Sequence, residues 1–184
     1  MNTVNSTATS GNASAPSALG TVANWITTTD HKKIGRLFVG ASALWMLIIV
    51  GVGVALGIER IASNSAIFNS NSVTQLFAIL RTGATFGVLL PLALGFGIAV
   101  VPTQVGSKSL SFVRLAMFGF YAWLIGSGLV IGSIIANGGP GGGNSQMVDL
   151  YLMGVGIGLV GVITASVSLL TTVMTSRRTG LSLL

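Results

Sequence analysis

The chain contains no cysteine and very few charged residues, and both absences restrict what it can be. Without cysteine there is neither a disulfide framework nor a thiolate metal site. Charged residues make up 7% of the 184 residues, whereas hydrophobic residues make up 51% and are gathered in long blocks. A chain so poor in charge cannot place most of its surface in water, so these blocks predict a polytopic membrane protein.

The few charges are mostly positive, with nine Lys and Arg against three Asp and Glu and a net charge of +6. In a soluble domain this excess would suggest a nucleic-acid partner. Here the cations flank the apolar blocks, where membrane topology and anionic lipid account for them. We therefore expect a lipid bilayer as the surroundings and no nucleic acid as a partner.

Four apolar blocks each provide the roughly 20 residues that a bilayer core requires. They cover residues 37–58, 76–101, 110–136 and 150–174. Because backbone groups in lipid must bond within their own segment, all four are predicted to be transmembrane helices of an all-α protein. The cations of one side outnumber Arg60 and Arg81 of the other, which predicts that both termini are cytoplasmic. The majority side comprises Lys32, Lys33, Arg36, Lys108, Arg114, Arg177 and Arg178.

Residues 1–24 are rich in Ser, Thr, Asn, Ala and Gly and carry no charge. They lack the basic and apolar regions of a secretory signal and the arginines of a mitochondrial transit peptide. We expect a disordered cytoplasmic tail here, followed by one membrane domain over residues 25–184. A bacterial or archaeal cytoplasmic membrane is the expected location.

Glycines recur at four-residue spacing in the predicted spans, where small residues allow helices to approach closely. The pairs are Gly53 and Gly57, Gly83 and Gly87, Gly128 and Gly132, and Gly154 and Gly158. The Gly-rich loop, residues 137–144, lacks the Lys-Ser/Thr of a phosphate-binding loop and is expected to be a flexible connector.

The segment before the first span reads Trp-Ile-Thr-Thr-Thr-Asp-His-Lys-Lys-Ile-Gly from Trp25 to Gly35, with Asp30 suited to cap a helix. It resembles the corresponding segment of the catalytic subunit I of haem–copper oxidases, the cytochrome c oxidase family. The resemblance covers about residues 25–184 in order and implies the first four helices of that subunit. Further similar stretches are Gln75–Phe77, Pro91–Phe96, Pro102–Gly106, Arg114–Leu115 and Asp149–Gly154, together with Thr171, Thr172 and Arg177.

The family's chemistry does not carry over to the matching positions. Its second helix supplies a histidine ligand to a low-spin haem, and a gapless count from Pro91 places Leu80 there. The single histidine, His31, belongs to the segment before the first span, so a pair of axial imidazoles is not available. The family's copper ligands and other haem ligands come from later helices. The resemblance therefore implies no catalytic residue, no metal ligand and no cofactor in this chain.

The family's proton-input pathway is also altered at each matching position. Its carboxylate corresponds to Ser109, and its water-binding asparagines correspond to Ile98, Ala116 and Ser168. A chain of water molecules needs polar partners along its length, and isoleucine and alanine supply none.

Arg81 is the unusual residue of the second span, because a cation within a span is costly unless it reaches the headgroups or has a partner. Four interpretations remain open: the side chain extends to the headgroups, it pairs with Asp149 at the same level, it pairs with a carboxylate of another subunit, or it contacts a propionate of a haem that a partner supplies.

These features predict a non-catalytic accessory subunit of an aerobic respiratory complex. The expected partners are haem–copper oxidase subunits and, in a supercomplex, cytochrome bc-type subunits. Alternatives are a transient assembly or regulatory factor and a split oxidase in which a second chain completes the enzyme. A transporter is disfavoured, since no span contains paired carboxylates or a broken polar centre. The candidate contact and packing residues are Arg81, Asp149, Gly128 and Gly132.

Overall fold

A computed structural model of the protein describes residues 28, 30–61, 68–107 and 109–176. The predicted tail lies outside the described residues. In the part described, four helices are long and apolar enough to cross a membrane. They are α1 (His31–Ile61), α2 (Ser70–Gln104), α3 (Val113–Ile135) and α4 (Ser145–Thr175). The all-α prediction with four transmembrane helices is therefore confirmed.

The start of α1 is capped as the sequence predicts. The Asp30 carboxylate accepts a hydrogen bond from the Lys32 backbone N–H at 3.0 Å, and the Thr28 hydroxyl accepts one from the Asp30 N–H. The Asp30 carbonyl accepts from Lys33 and Ile34. These bonds satisfy amides that have no partner within the helix. We call this end of the bundle the cap end.

The helix α2 is interrupted by a π-helical segment over Gly83–Leu89, which the sequence did not indicate. The Leu90 N–H bonds to the Thr85 carbonyl, five residues back. Such a segment inserts an extra residue into the turn and turns a carbonyl away from its usual partner. The indole Nε1–H of Trp123 in α3 donates to the Phe86 carbonyl at 2.9 Å. The π-helical segment is thus fixed by the neighbouring helix.

The helices α1 and α2 pack against each other, as do α3 and α4, and contacts between α2 and α4 and between α1 and α3 close the bundle. Its centre is aromatic. The rings of Phe38 in α1 and Phe120 in α3 meet edge-on with centroids 5.0 Å apart, and the Trp123 ring lies 6.2 Å from that of Phe38.

At the opposite end, which we call the loop end, the Gly-rich loop is a hydrogen-bonded turn. The Gly138 N–H donates to the Ser133 carbonyl at 2.7 Å, and the Asn144 N–H to the Asn137 carbonyl. The Asn137 side chain accepts a hydrogen bond from Gln75 in α2 at 2.8 Å. The loop is therefore attached to α2, in contrast to the flexible connector that its composition suggested.

Three helices extend beyond the apolar blocks, because helical hydrogen bonding continues through polar residues outside the lipid core. The exception is α3, which begins at Val113, after the predicted start at residue 110. Phe112 precedes it in a left-handed conformation, with φ at 54°. Hydroxyl groups of α4 support this turn: Ser168 donates to the Ser111 carbonyl at 2.5 Å, and Thr172 accepts from the Ser111 N–H.

Candidate functional site

Leu80, which the gapless count from Pro91 aligns with the family's haem ligand, is half-buried in α2 and lies near α1. A β-carbon added to Gly53 in α1 would lie 3.7 Å from a Leu80 methyl group. The isobutyl side chain has no lone pair with which to bind iron. Leu80 therefore packs toward α1 and cannot form an axial bond to haem iron.

His31 lies far from Leu80, at the cap end. A β-carbon added to Gly35, one turn after His31, would lie 2.7 Å from the Gly95 carbonyl of α2. His31 is therefore level with the last turns of α2, more than 20 residues and about 30 Å along the helix from Leu80. Its Nε2 atom is buried without a hydrogen-bond partner, and its Nδ1 atom is 3.9 Å from the Asp30 carboxylate.

Two apolar cavities lie side by side in the loop-end half of the bundle. Their volumes are about 40 Å³ and about 300 Å³, and Trp45, Thr82, Gly83 and Val130 line both. Leu80 lines neither, and neither contains a histidine, methionine or tyrosine, the side chains here that could hold haem iron. The described residues also contain no cluster of three potential metal-binding side chains. The residues present therefore do not fit the family's haem.

Three of the four residues that the sequence comparison aligns with the family's proton pathway are buried. Ile98 of α2 and Ala116 of α3 are fully buried members of the apolar core. Ser168 is buried too, and its hydroxyl donates to backbone carbonyls of the turn before α3. Ser109, in place of the input carboxylate, is exposed, and Leu110 beside it is buried. Ile98 and Ala116 therefore offer no polar side chain to a proton path, and the Ser168 hydroxyl is already bonded to backbone.

Only some of the predicted glycine pairs lie at close contacts. A β-carbon added to Gly87 would lie 2.6 Å from the Trp45 ring, and Gly83 is equally close to Ile49. In α4, the backbones of both Gly154 and Gly158 lie against Gly126 of α3: a β-carbon at Gly126 would lie 2.5 Å from the Gly154 carbonyl and 2.5 Å from the Gly158 nitrogen. A β-carbon at Gly158 itself would point away from this contact and meet nothing within 4 Å. The pair Gly53 and Gly57 makes no tight contact.

Gly128 and Gly132 are exposed, and a β-carbon at either would meet nothing within 4 Å. This pair therefore does not pack within the described part of the chain. It forms an open strip on α3 between large exposed side chains such as Ile125 and Ile135. The strip is available for contact with another helix or with lipid.

The closest helix approach uses glycines that the pair pattern missed. A β-carbon at Gly161 in α4 would lie 2.4 Å from the Trp123 amide nitrogen and 2.6 Å from the Gly119 carbonyl. Gly126 is similarly close to the Gly154 carbonyl. In α3 these residues, Gly119 and Gly126, are seven apart, so a search for seven-residue spacing could have found them.

Arg81 and Asp149 are both exposed, and they form no ion pair with each other. The pairing of these two residues within the chain, one of the open interpretations, is therefore wrong for this structure. Among the described residues, the only contact within ion-pair distance is the 3.9 Å approach of the His31 imidazole to the Asp30 carboxylate. Extension to the headgroups, a partner carboxylate and a propionate of a partner's haem remain open for Arg81.

The comparisons with known proteins all identify the same protein family. A sequence profile of "Cytochrome C and Quinol oxidase polypeptide I" matches residues 33–184. A Streptomyces avermitilis protein named as a cytochrome c oxidase subunit 1-beta is 30% identical over 88% of this chain and 31% of its own length. Quinol oxidase subunit 1 of Bacillus spizizenii is 27% identical over 87% of this chain and 27% of its own length. The chain thus spans less than a third of the length of these relatives.

Proposed function

Because the chain belongs to the cytochrome c and quinol oxidase polypeptide I family, we propose that it is a non-catalytic accessory subunit of an aerobic respiratory complex. The observation that carries this proposal is the apolar contact of Leu80, the residue that the gapless count aligns with the family's haem ligand, toward Gly53 of α1. An accessory role requires helix packing and a partner surface, and it requires neither a cofactor nor proton transfer.

The residues aligned with the family's proton pathway support the same proposal independently. The buried Ile98 and Ala116 cannot order water, and the Ser168 hydroxyl is already bonded to backbone. A split oxidase, in which another chain supplies the missing parts, would still need a ligand from α2 and a proton path through this bundle. The residues at both places therefore favour a structural role over that alternative.

The strip of Gly128 and Gly132 is our candidate partner surface. In lipid, helix association depends on close packing because lipid tails are as apolar as the side chains they would replace. An exposed strip without β-carbons allows a second helix to approach α3 closely. We propose that haem–copper oxidase subunits supply this helix, with cytochrome bc-type subunits as further neighbours in a supercomplex.

We further propose a bacterial or archaeal cytoplasmic membrane, with the cap end facing the cytoplasm. Lys32, Lys33 and Arg36 lie at the cap end, as does Arg114 at the start of α3. Arg60 and Arg81 belong to the loop-end half. The larger number of cations at the cap end is typical of the cytoplasmic side.

The test is purification of the tagged chain from its native membrane in mild detergent, with the eluate analysed by mass spectrometry and haem absorption. We expect haem–copper oxidase subunits in stoichiometric amounts. Gly128→Ile and Gly132→Ile should reduce their recovery, because the added side chains block the strip. Gly51→Ile is the matched control, since Gly51 is an exposed glycine of α1 with nothing within 4 Å.

The outcomes separate the alternatives. A free monomer or homo-oligomer without oxidase subunits would contradict the accessory role. Oxidase subunits at clearly substoichiometric levels would instead favour a transient assembly or regulatory factor. Equal loss in the Gly51 and Gly128 variants would show that the strip is not the specific contact.

A further inference from the structure

The depth of Arg81 in the membrane follows from two hydrogen bonds between helices. The Gln75 side chain of α2 bonds to Asn137, two residues past the last residue of α3. Arg81 follows Gln75 by six residues, or about 9 Å along the helix. Thr82 bonds to Tyr151, which is six residues into α4. Arg81 therefore lies well inside the loop-end boundary of the bundle.

The Arg81 side chain faces away from the bundle. Thr82 and Gly83, the next two residues, line the internal cavities. Arg81 is exposed, as are Phe77, one turn before it, and Thr85, one turn after it. Because residues four apart share a helix face, this face of α2 is turned toward lipid or a partner. No carboxylate among the described residues lies within ion-pair distance of Arg81.

The direction of the helix decides which membrane surface the guanidinium can reach. Side chains of an α-helix tilt toward its N-terminus, and α2 begins at the loop end. The flexible arginine side chain can therefore extend along α2 toward the nearer headgroups, with its methylenes against apolar surface. The exposed Phe77 ring lies one turn closer to that surface and provides an apolar wall.

We infer that Arg81 binds the phosphate of an anionic phospholipid in the leaflet at the loop end. A guanidinium without a protein carboxylate needs an anionic oxygen acceptor, and phosphate accepts two of its N–H groups at once. A zwitterionic lipid supplies a cation beside its phosphate, so an anionic headgroup is the better match. This lipid site does not depend on the oxidase partner proposed above.

The test uses the isolated full-length chain in bilayer nanodiscs that contain phosphatidylglycerol and phosphatidylcholine in defined ratios. Native mass spectrometry after release would count the phosphatidylglycerol molecules that remain bound. An interfacial arginine contributes about 1 kcal/mol of attraction, so Arg81→Leu should weaken retention about fivefold. Arg81→Lys should keep part of it, because the charge remains while bidentate bonding is lost.

Arg60→Leu is the matched control, because Arg60 is also an exposed arginine, in the last turn of α1 at the loop end. It should reduce retention less than Arg81→Leu. Equal retention by the wild type and Arg81→Leu, or equal loss in both variants, would overturn the proposal. Unchanged lipid retention in nanodiscs, combined with loss of a protein partner when Arg81→Leu is purified from its native membrane, would overturn it as well and assign Arg81 to a carboxylate of that partner.

Discussion

Gly161 lies where α4 passes closest to α3, and replacing it with alanine tests that contact directly. The added β-carbon would lie 2.4 Å from the Trp123 nitrogen and 2.6 Å from the Gly119 carbonyl. Both are backbone atoms, which cannot rotate away as a side chain could. A β-carbon contact of about 3.4 Å requires the helices to separate by roughly 1 Å, the difference between 3.4 and 2.4 Å.

Such overpacking typically costs about 1 to 3 kcal/mol. The separation would also disturb the neighbouring bond between Trp123 and the Phe86 carbonyl, which fixes the π-helical segment. We therefore expect Gly161→Ala to lower the free energy of unfolding by about 1 to 3 kcal/mol. Unfolding of the purified chain by sodium dodecyl sulfate in mild detergent, followed by circular dichroism and tryptophan fluorescence, would measure it.

Gly156→Ala is the control in the same helix. A β-carbon at Gly156 would meet nothing within 4 Å, so the substitution leaves the packing unchanged. Alanine is also the better helix former, by up to about 1 kcal/mol. The control should be as stable as the wild type or slightly more stable. If both variants have the same free energy of unfolding as the wild type, the close approach of α3 and α4 is refuted.

The remaining predictions concern cofactor content and topology. The purified 184-residue chain should show neither the visible absorption of a low-spin haem nor bound copper. The reason is that Leu80 cannot ligate iron and the only histidine, His31, is about 30 Å from it. A stoichiometric haem spectrum would contradict the gapless assignment of Leu80. A cysteine at Asn144 or Ser72 should react with an impermeant thiol reagent added to intact cells, whereas one at Ser107 or Ser182 should not. Labelling in the reverse pattern would invert the proposed orientation.

Prediction from the sequence succeeded for those features to which lipid or hydrogen-bonding chemistry allows only one structure. Long apolar blocks must be helical in lipid, and α1 to α4 confirm all four spans. Asp30 was predicted to cap α1 from its side chain and its place before the helix, and its carboxylate accepts the Lys32 amide. That Leu80 cannot ligate iron is a chemical property of the residue type.

The sequence could not predict in the same way which face of each helix is buried in the bundle. In water, a buried face is apolar and an exposed face is polar, but in lipid both faces are apolar. Leu47 of α1 is 70% exposed and Ile34 of the same helix is 0% exposed, although both are aliphatic. Gly128 and Gly161 are likewise the same residue type, yet a β-carbon would meet nothing within 4 Å at Gly128 and would meet the α3 backbone at Gly161. The four-residue spacing therefore could not tell a packing glycine from an open one.

The sequence by itself determined the number of helices and the capped start of α1, because these follow from segment length and residue type, and it predicts the loss of the family's ligand and proton-pathway chemistry. Only the tertiary structure decided how each helix is rotated. That rotation turns Arg81 away from the bundle without pairing it to Asp149, and it places Gly161 against the Trp123 backbone. The physical reason is that rotation in lipid depends on the fit between whole helix surfaces, and the hydrophobicity of single residues carries little of that information.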